Sequence, residues 1–243
     1  MKLRLSLIMI LVSAGGCASK AIRPVEDPAA ILAMACRAGQ RTTETRGSVW
    51  LKARSKEAEG QFPAQVKASA DRLELEVTNL LGGTEAWIQV QGHQYEIRVP
   101  SKKGARKTPS KVETGSHSWG GIPLRWASDL FLGRTPCPNA AQLKGAKIQL
   151  EENGQLSVKT LASLNSDAET FVFQFRSWAG ARWVEALQWE RTGTFPLTVQ
   201  FTFDQPDDHS ASPLKWEAHS EQGEVKVRWK DRQVQESPLS QQP

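Results

Sequence analysis

Apolar and polar positions alternate along most of this chain. From Arg46 onward, Val49/Leu51/Ala53, Phe62/Ala64/Val66, Leu73/Leu75/Val77, Ala86/Ile88/Val90 and Tyr95/Ile97/Val99 form successive period-two runs separated by turn-like or polar stretches. That period is the mark of half-buried antiparallel strands. A polar segment from Ser101 to Ser116 interrupts the series. After Pro138 it resumes through Ile148/Leu150, Leu156/Val158, Phe171/Phe173/Phe175, Trp183/Leu187/Trp189, Leu197/Val199/Phe201/Phe203, Leu214/Trp216/Ala218 and Val225/Val227/Trp229. Two stretches switch to helical spacing. Asp27-Pro28 supplies an N-cap and a Pro at the first helical position, and Ile31, Leu32, Ala35 and Ala38 then share a face up to Gly39. Gly121-Ile122-Pro123 opens the second, in which Leu124, Ala127, Leu130 and Phe131 share a face before Gly133.

Two short helices cannot cover one whole face of a sheet built from that many strands. Either the sheet closes into a well-filled barrel, or it curves around helices and leaves an apolar cavity suited to acyl chains. The alternation of the strands makes Leu73, Leu75, Ile88, Ile97, Phe173, Phe175, Leu187, Val199 and Phe201 the candidate lining of such a cavity.

The N-terminus changes the picture from a generic β domain to an exported one. Lys2 and Arg4 precede an apolar run from Leu5 to Ala14, and Ser13-Ala14-Gly15-Gly16 leads directly into Cys17. Charged, apolar and small-residue regions in that order form a secretory signal too short to span a bilayer. With Cys directly after the small residues, the segment resembles a bacterial lipoprotein signal, which implies cleavage after residue 16 and acylation of Cys17. Ala18, where inner-membrane retention would use Asp, implies the outer membrane. Residues 17–26 then read as an acylated tether. Acylation leaves Cys36 and Cys137 as an even pair in an oxidising compartment, joined as a disulfide or buried as two free thiols.

The full chain carries a formal charge of +5, and loss of Lys2 and Arg4 with the signal lowers this to +3, too mild to argue for nucleic acid. The sharpest charge feature is Lys102, Lys103, Arg106, Lys107 and Lys111, with no acid from residue 101 to 111. Such a run suits anionic headgroups or an acidic rim on a partner, or it is a solvated loop. No catalytic constellation stands out. Gly115-Ser116-His117-Ser118-Trp119-Gly120-Gly121 lacks the strand-to-helix elbow of a nucleophile motif, and His93, His117, His209 and His219 show no zinc spacing. A non-enzymatic protein without metal or cofactor, beyond the lipid on Cys17, is the expectation.

A family resemblance sharpens this. Thr78-Asn79-Leu80-Leu81-Gly82-Gly83-Thr84-Glu85 resembles the strand–loop–strand of the outer-membrane lipoprotein receptor family LolB. Arg46-Gly47 is similar to the start of that family's first strand, and Ile122-Pro123-Leu124 with Phe131-Leu132-Gly133 to its central helix. Leu80 replaces a Pro often found before the loop Leu, and Leu130 stands where the family often has Trp. The resemblance implies a mainly β, single antiparallel and strongly curved incomplete barrel of about 11 strands, with short helices plugging an apolar concave face. It places that domain at residues 27–231, with 232–243 as a polar tail. It also implies a monomer anchored to the outer membrane and facing the periplasm. Such a protein accepts acylated lipoproteins from a periplasmic LolA-like carrier and releases them among outer-membrane phospholipids. The family's exposed loop Leu maps onto Leu81. An apolar Leu80-Leu81 pair at a hairpin tip is unusual on its own terms, and it reads either as a small membrane wedge or as side chains tucked under the sheet. A lipid- or glycolipid-binding lipoprotein without transfer activity is the alternative function.

Overall fold

The computed structural model describes residues 26–37, 39–55, 59–100, 109–162, 167–178, 181–193, 195–206 and 212–237. The signal, Cys17 and the tether up to residue 25 lie outside these, as do Lys102, Lys103, Arg106 and Lys107 of the basic run. Helix α1 (Pro28–Arg37) opens the described chain. The Ala29 N–H donates to Asp27 Oδ1 at 3.0 Å, so Asp27 caps the helix while Pro28 occupies the position where a missing N–H is harmless. Ile31, Leu32 and Ala35 form its buried stripe.

Six strands follow: β1 (Thr42–Ser55), β2 (Glu59–Ser69), β3 (Arg72–Thr78), β4 (Thr84–Gln91), β5 (Gln94–Pro100) and β6 (Pro109–Ser116). A two-stranded ribbon, β7 (Ser118–Trp119) and β8 (Ile122–Pro123), leads into a 3-10 turn (Leu124–Trp126), α2 (Ala127–Phe131) and α3 (Ala140–Leu143). The last seven strands are β9 (Lys147–Leu150), β10 (Leu156–Lys159), β11 (Glu169–Trp178), β12 (Ala181–Arg191), β13 (Leu197–Phe203), β14 (Lys215–Ser220) and β15 (Gly223–Glu236). Thirteen strands join one antiparallel sheet in the order β6-β5-β4-β3-β2-β1-β15-β14-β13-β12-β11-β10-β9. The sheet is thus two meanders that meet at its centre, where β1 pairs with β15 from Thr42↔Glu236 to Ser55↔Gly223. The chain starts at that centre and walks to the β6 edge. It then crosses one face to the β9 edge and walks back.

The architecture corrects the expectation of a strongly curved incomplete barrel with about 11 strands. The sheet has 13 strands, is open, and is neither closed nor strongly curled; β6 and β9 are its two edges. The reason lies in what covers the face. The crossing segment between β6 and β9 is mostly not helical, yet it contributes Ile122, Leu124, Trp126, Leu130, Phe131 and Leu132 to the buried core. Large apolar side chains concentrated on the short 3-10 turn and α2 bury the sheet face without a long helix, so closure is not needed. The sheet also carries the chain past residue 231. Arg232–Glu236 continue β15, and Arg232 donates to the carbonyls of Pro213 and Ser212 at 3.0 and 3.1 Å.

Two features hold the crossing segment in place at its far end. Cys36 of α1 is bonded to Cys137, 101 residues away. Beside the disulfide, the Arg134 guanidinium donates to the Thr42 carbonyl (2.8 Å), the Gly39 carbonyl (3.3 Å) and Asp129 Oδ1 (3.0 Å). Burial holds the Asp129 carboxyl above the ordinary aspartate value despite the opposing pull of Arg134. Gly39, at φ +71°, is required here, because a Cβ would lie 2.8 Å from the Gly133 carbonyl oxygen.

Candidate acyl-binding cavity and membrane tip

The crossing segment covers the two halves of the sheet differently. Over the C-terminal meander the fit is tight: the Trp126 ring makes edge-to-face contacts with Trp189 (5.0 Å), Phe201 (5.7 Å) and Phe171 (6.2 Å). The Arg125 guanidinium lies 4.3 Å above Trp126 and donates to Glu169 Oε2 at 2.8 Å, and the same carboxylate oxygen accepts from Trp189 Nε1 at 2.9 Å. Glu169 is 6% exposed, so these two donors replace the water it has lost. Replacing it by Gln, which keeps an acceptor but not the charge, is expected to cost about 2 kcal/mol in a denaturant titration. An unchanged midpoint would mean that the pair does not anchor the segment.

Over the N-terminal meander the fit is loose and leaves a cavity of about 150 Å³. Its floor is a cross-strand row, Leu75↔Ile88↔Ile97, on β3, β4 and β5. Leu51, Ala53 and Val225 flank the row, and Trp119, Ile122, Leu124, Ala127, Leu130 and Phe131 of the crossing segment form the roof. The wall is almost wholly apolar; the Tyr95 hydroxyl, on one wall residue, donates to Glu113 Oε1 at 3.2 Å.

Three of the nine residues selected by strand parity, Leu75, Ile88 and Ile97, therefore meet at the cavity. Leu73 is buried on the same strand face without lining it. Phe173, Leu187, Val199 and Phe201 are fully buried in the packed half, with Phe175 partly buried beside Phe173. Parity identifies which side chains point to the covered face, but it carries no information about which of them a Trp from another segment will fill in. The roof residues Leu124, Ala127, Leu130 and Phe131 had only the signal of a short helical stripe, and Trp119 had none.

The β3–β4 hairpin, whose stem forms part of the floor, carries the Leu80-Leu81 tip. Both side chains point into solvent, 82% and 96% exposed. Asn79 makes the tip rigid: its Oδ1 accepts from the Leu81 N–H (3.0 Å) and the Gly83 N–H (2.8 Å), and its Nδ2 donates to Glu85 Oε1 (2.9 Å). The Asn79 N–H also reaches the Gly83 carbonyl at 2.8 Å, and Gly82 takes φ +84° to complete the turn. Ile88 lies four positions along β4 from the base of the tip at Thr84, a distance of roughly 13 Å.

The remaining candidates lie apart from this site. Lys111 falls in the edge strand β6. His117, at φ +68°, forms the turn by which the chain leaves β6: its N–H donates to the His93 carbonyl at 2.6 Å and its carbonyl accepts from Leu124 at 2.9 Å. Among the described residues no group of three His, Cys, Asp or Glu could hold a metal ion, and no helix is long and apolar enough to cross a membrane.

No protein-family model matches the chain, and no curated protein matches it by sequence. Solved structures do match. A LolA superfamily protein from Nitrosomonas europaea superposes with a TM-score of 0.51 at 11% identity, covering 88% of this chain and 96% of its own. A DUF1329 family protein from Desulfovibrio piger gives a TM-score of 0.51 at 8% identity, covering 86% and 94%. At such identities the likeness is one of fold alone: this chain's fold resembles that of a LolA superfamily protein and of a DUF1329 family protein.

Proposed function

We infer that this protein is an outer-membrane lipoprotein, anchored through Cys17, that accepts acyl chains of lipoproteins from a periplasmic carrier and passes them to the membrane. The observation that carries the reading is the coupling of an apolar cavity and a rigid, solvent-exposed Leu pair on one β-hairpin. Such a cavity binds whatever apolar chain reaches it, and such a tip inserts where apolar surface is favoured.

The cavity's size fits a transient host. An apolar void of about 150 Å³ holds a group about the size of benzene. Six carbons at ~0.8 kcal/mol each are worth ~5 kcal/mol, against ~13 for a 16-carbon chain fully in a bilayer. Transfer to lipid is then downhill with no nucleotide needed. The almost wholly apolar wall also suits, as a second reading, a lipid- or glycolipid-binding lipoprotein that transfers nothing.

The test is to mix the purified chain with a periplasmic carrier loaded with a triacylated lipoprotein, then add vesicles. Cargo should move first to this chain and then to the vesicles. Leu81→Glu should leave acceptance intact and slow release at least about tenfold, since inserting one Leu is worth about 2 kcal/mol. Cargo that stays on the carrier, with lipid nevertheless extracted from the purified chain, would favour the second reading.

A further inference from the structure

We propose that the end of the sheet bearing Leu80 and Leu81 carries a second bilayer-contacting site, in which Phe195 and Leu161 insert beside Lys147 and Lys159, which bind anionic headgroups. The proposal rests on reading Leu80-Leu81 as a bilayer-facing tip. Strand alternation brings the β3–β4, β10–β11 and β12–β13 connections to one end of the sheet. Among the described residues, the large apolar side chains more than 60% exposed are Leu80, Leu81, Leu161 at 66% and Phe195 at 75%. All four sit on those three connections.

The second site is built in the same manner as the first. Arg191 Nε and Nη2 donate to the Phe195 carbonyl at 3.3 and 3.1 Å, and Arg191 Nε lies 3.9 Å from Asp167 Oδ2 in the neighbouring connection. The Thr192 N–H donates to the Ala168 carbonyl at 3.0 Å, tying the two connections together. Leu161 leans on the turn before β9, its Cδ1 3.1 Å from where a Cβ on Gly145 would stand. Neither apolar side chain is therefore on a free strand of chain.

The charge pattern selects the occupant. Lys147 and Lys159 are exposed and directly opposed across β9 and β10, an arrangement that costs stability in the free protein. Along that row the next residues are Thr170 and then Glu190, whose carboxylate already accepts from Gln188 at 2.6 Å. An anionic headgroup beside the two ammonium groups removes the repulsion. Separate apolar tips with an exposed lysine pair at the same end suit a lipid surface, whereas a protein interface would present a contiguous apolar patch.

The experiment places an environment-sensitive fluorophore on the full chain, with Leu81→Cys, Leu161→Cys, Phe195→Cys or Asn153→Cys as the label site, the last in the turn at the opposite end. Each is reconstituted in phosphatidylcholine vesicles with or without phosphatidylglycerol, containing brominated lipid as quencher. Labels at 81, 161 and 195 should be quenched on the anionic vesicles and the label at 153 should not. Adding Lys147→Gln and Lys159→Gln should reduce quenching at 161 and 195 severalfold and leave 81 unchanged. Quenching at 81 alone overturns this proposal and leaves the first tip standing; quenching at none overturns both. Quenching that includes 153, or that ignores the two Lys substitutions and the lipid charge, also overturns it.

Discussion

Trp126→Ala is expected to destabilise the protein by about 4 kcal/mol, the cost of removing a fully packed Trp from a core. The side chain is 4% exposed and its ring meets Trp189, Phe201 and Phe171 edge to face, with Arg125 stacked above it. The crossing segment that bears it has no helix long enough to fold alone, since the 3-10 turn Leu124–Trp126 and α2, Ala127–Phe131, together span under three turns. Its order must come from this contact. In a domain of this size, 4 kcal/mol corresponds to a fall in melting temperature of roughly 8–16 °C. The substitution should also extend the cavity under the C-terminal meander and raise the uptake of an apolar dye. A variant that melts within 2 °C of the parent would show that the crossing segment rests on the sheet without being part of its core.

Loss of the Cys36–Cys137 disulfide is expected to be as severe. The bond closes a loop of 101 residues that takes in β1 through the crossing segment. Chain entropy alone gives such a loop about 4–5 kcal/mol, and native disulfides are typically worth 2–5. It also fixes α1, whose Ile31, Leu32 and Ala35 would otherwise face water. The double substitution Cys36→Ser with Cys137→Ser, or reductant added to the parent, should lower the melting temperature by roughly 5–15 °C. Identical melting curves with and without reductant would mean that the two sulfurs contribute nothing to the fold.

Strands with one buried and one wet face were legible because their parity shows in the residue types. Leu73, Leu75 and Val77 are buried and alternate with half-exposed Glu74, Glu76 and Thr78. The strand β6 gave no such signal: its sequence PSKVETGS holds one large apolar residue, Val112, and that is half exposed, as suits an edge. Glu185 is an extra residue in β12: Gln174 of β11 pairs with Ala186 but Phe175 pairs with Val184, not Glu185, so Trp183 loses the parity it would share with Leu187 and Trp189. A single inserted residue of that kind leaves no trace in composition. The second helical stripe was real but short. Pro123 and two glycines with positive φ, Gly120 and Gly121, break the backbone before it, and its first turn is 3-10 before α2 begins, so the stripe covers the sheet with only eight residues, Leu124–Phe131.

The site was legible where it is local and hidden where it is not. Leu80 and Leu81 stood out because apolar residues at a hairpin tip contradict turn chemistry, and Asn79 provides the geometry that keeps them exposed. The cavity wall joins β1, β3, β4, β5, β14, β15 and the crossing segment, contacts that no local pattern encodes. The same holds for Arg125 and Glu169, 44 residues apart, which decide where the segment is clamped and so which half of the sheet stays hollow.

The most direct measurement uses a triacylated lipopeptide with a photoactivatable group in one acyl chain, irradiated with the purified chain and mapped by peptide mass spectrometry. The account predicts label on Leu75, Ile88, Ile97 and Leu130, and its loss when Ile88→Trp fills the void. Label confined to surface residues, or unchanged by Ile88→Trp, would contradict it.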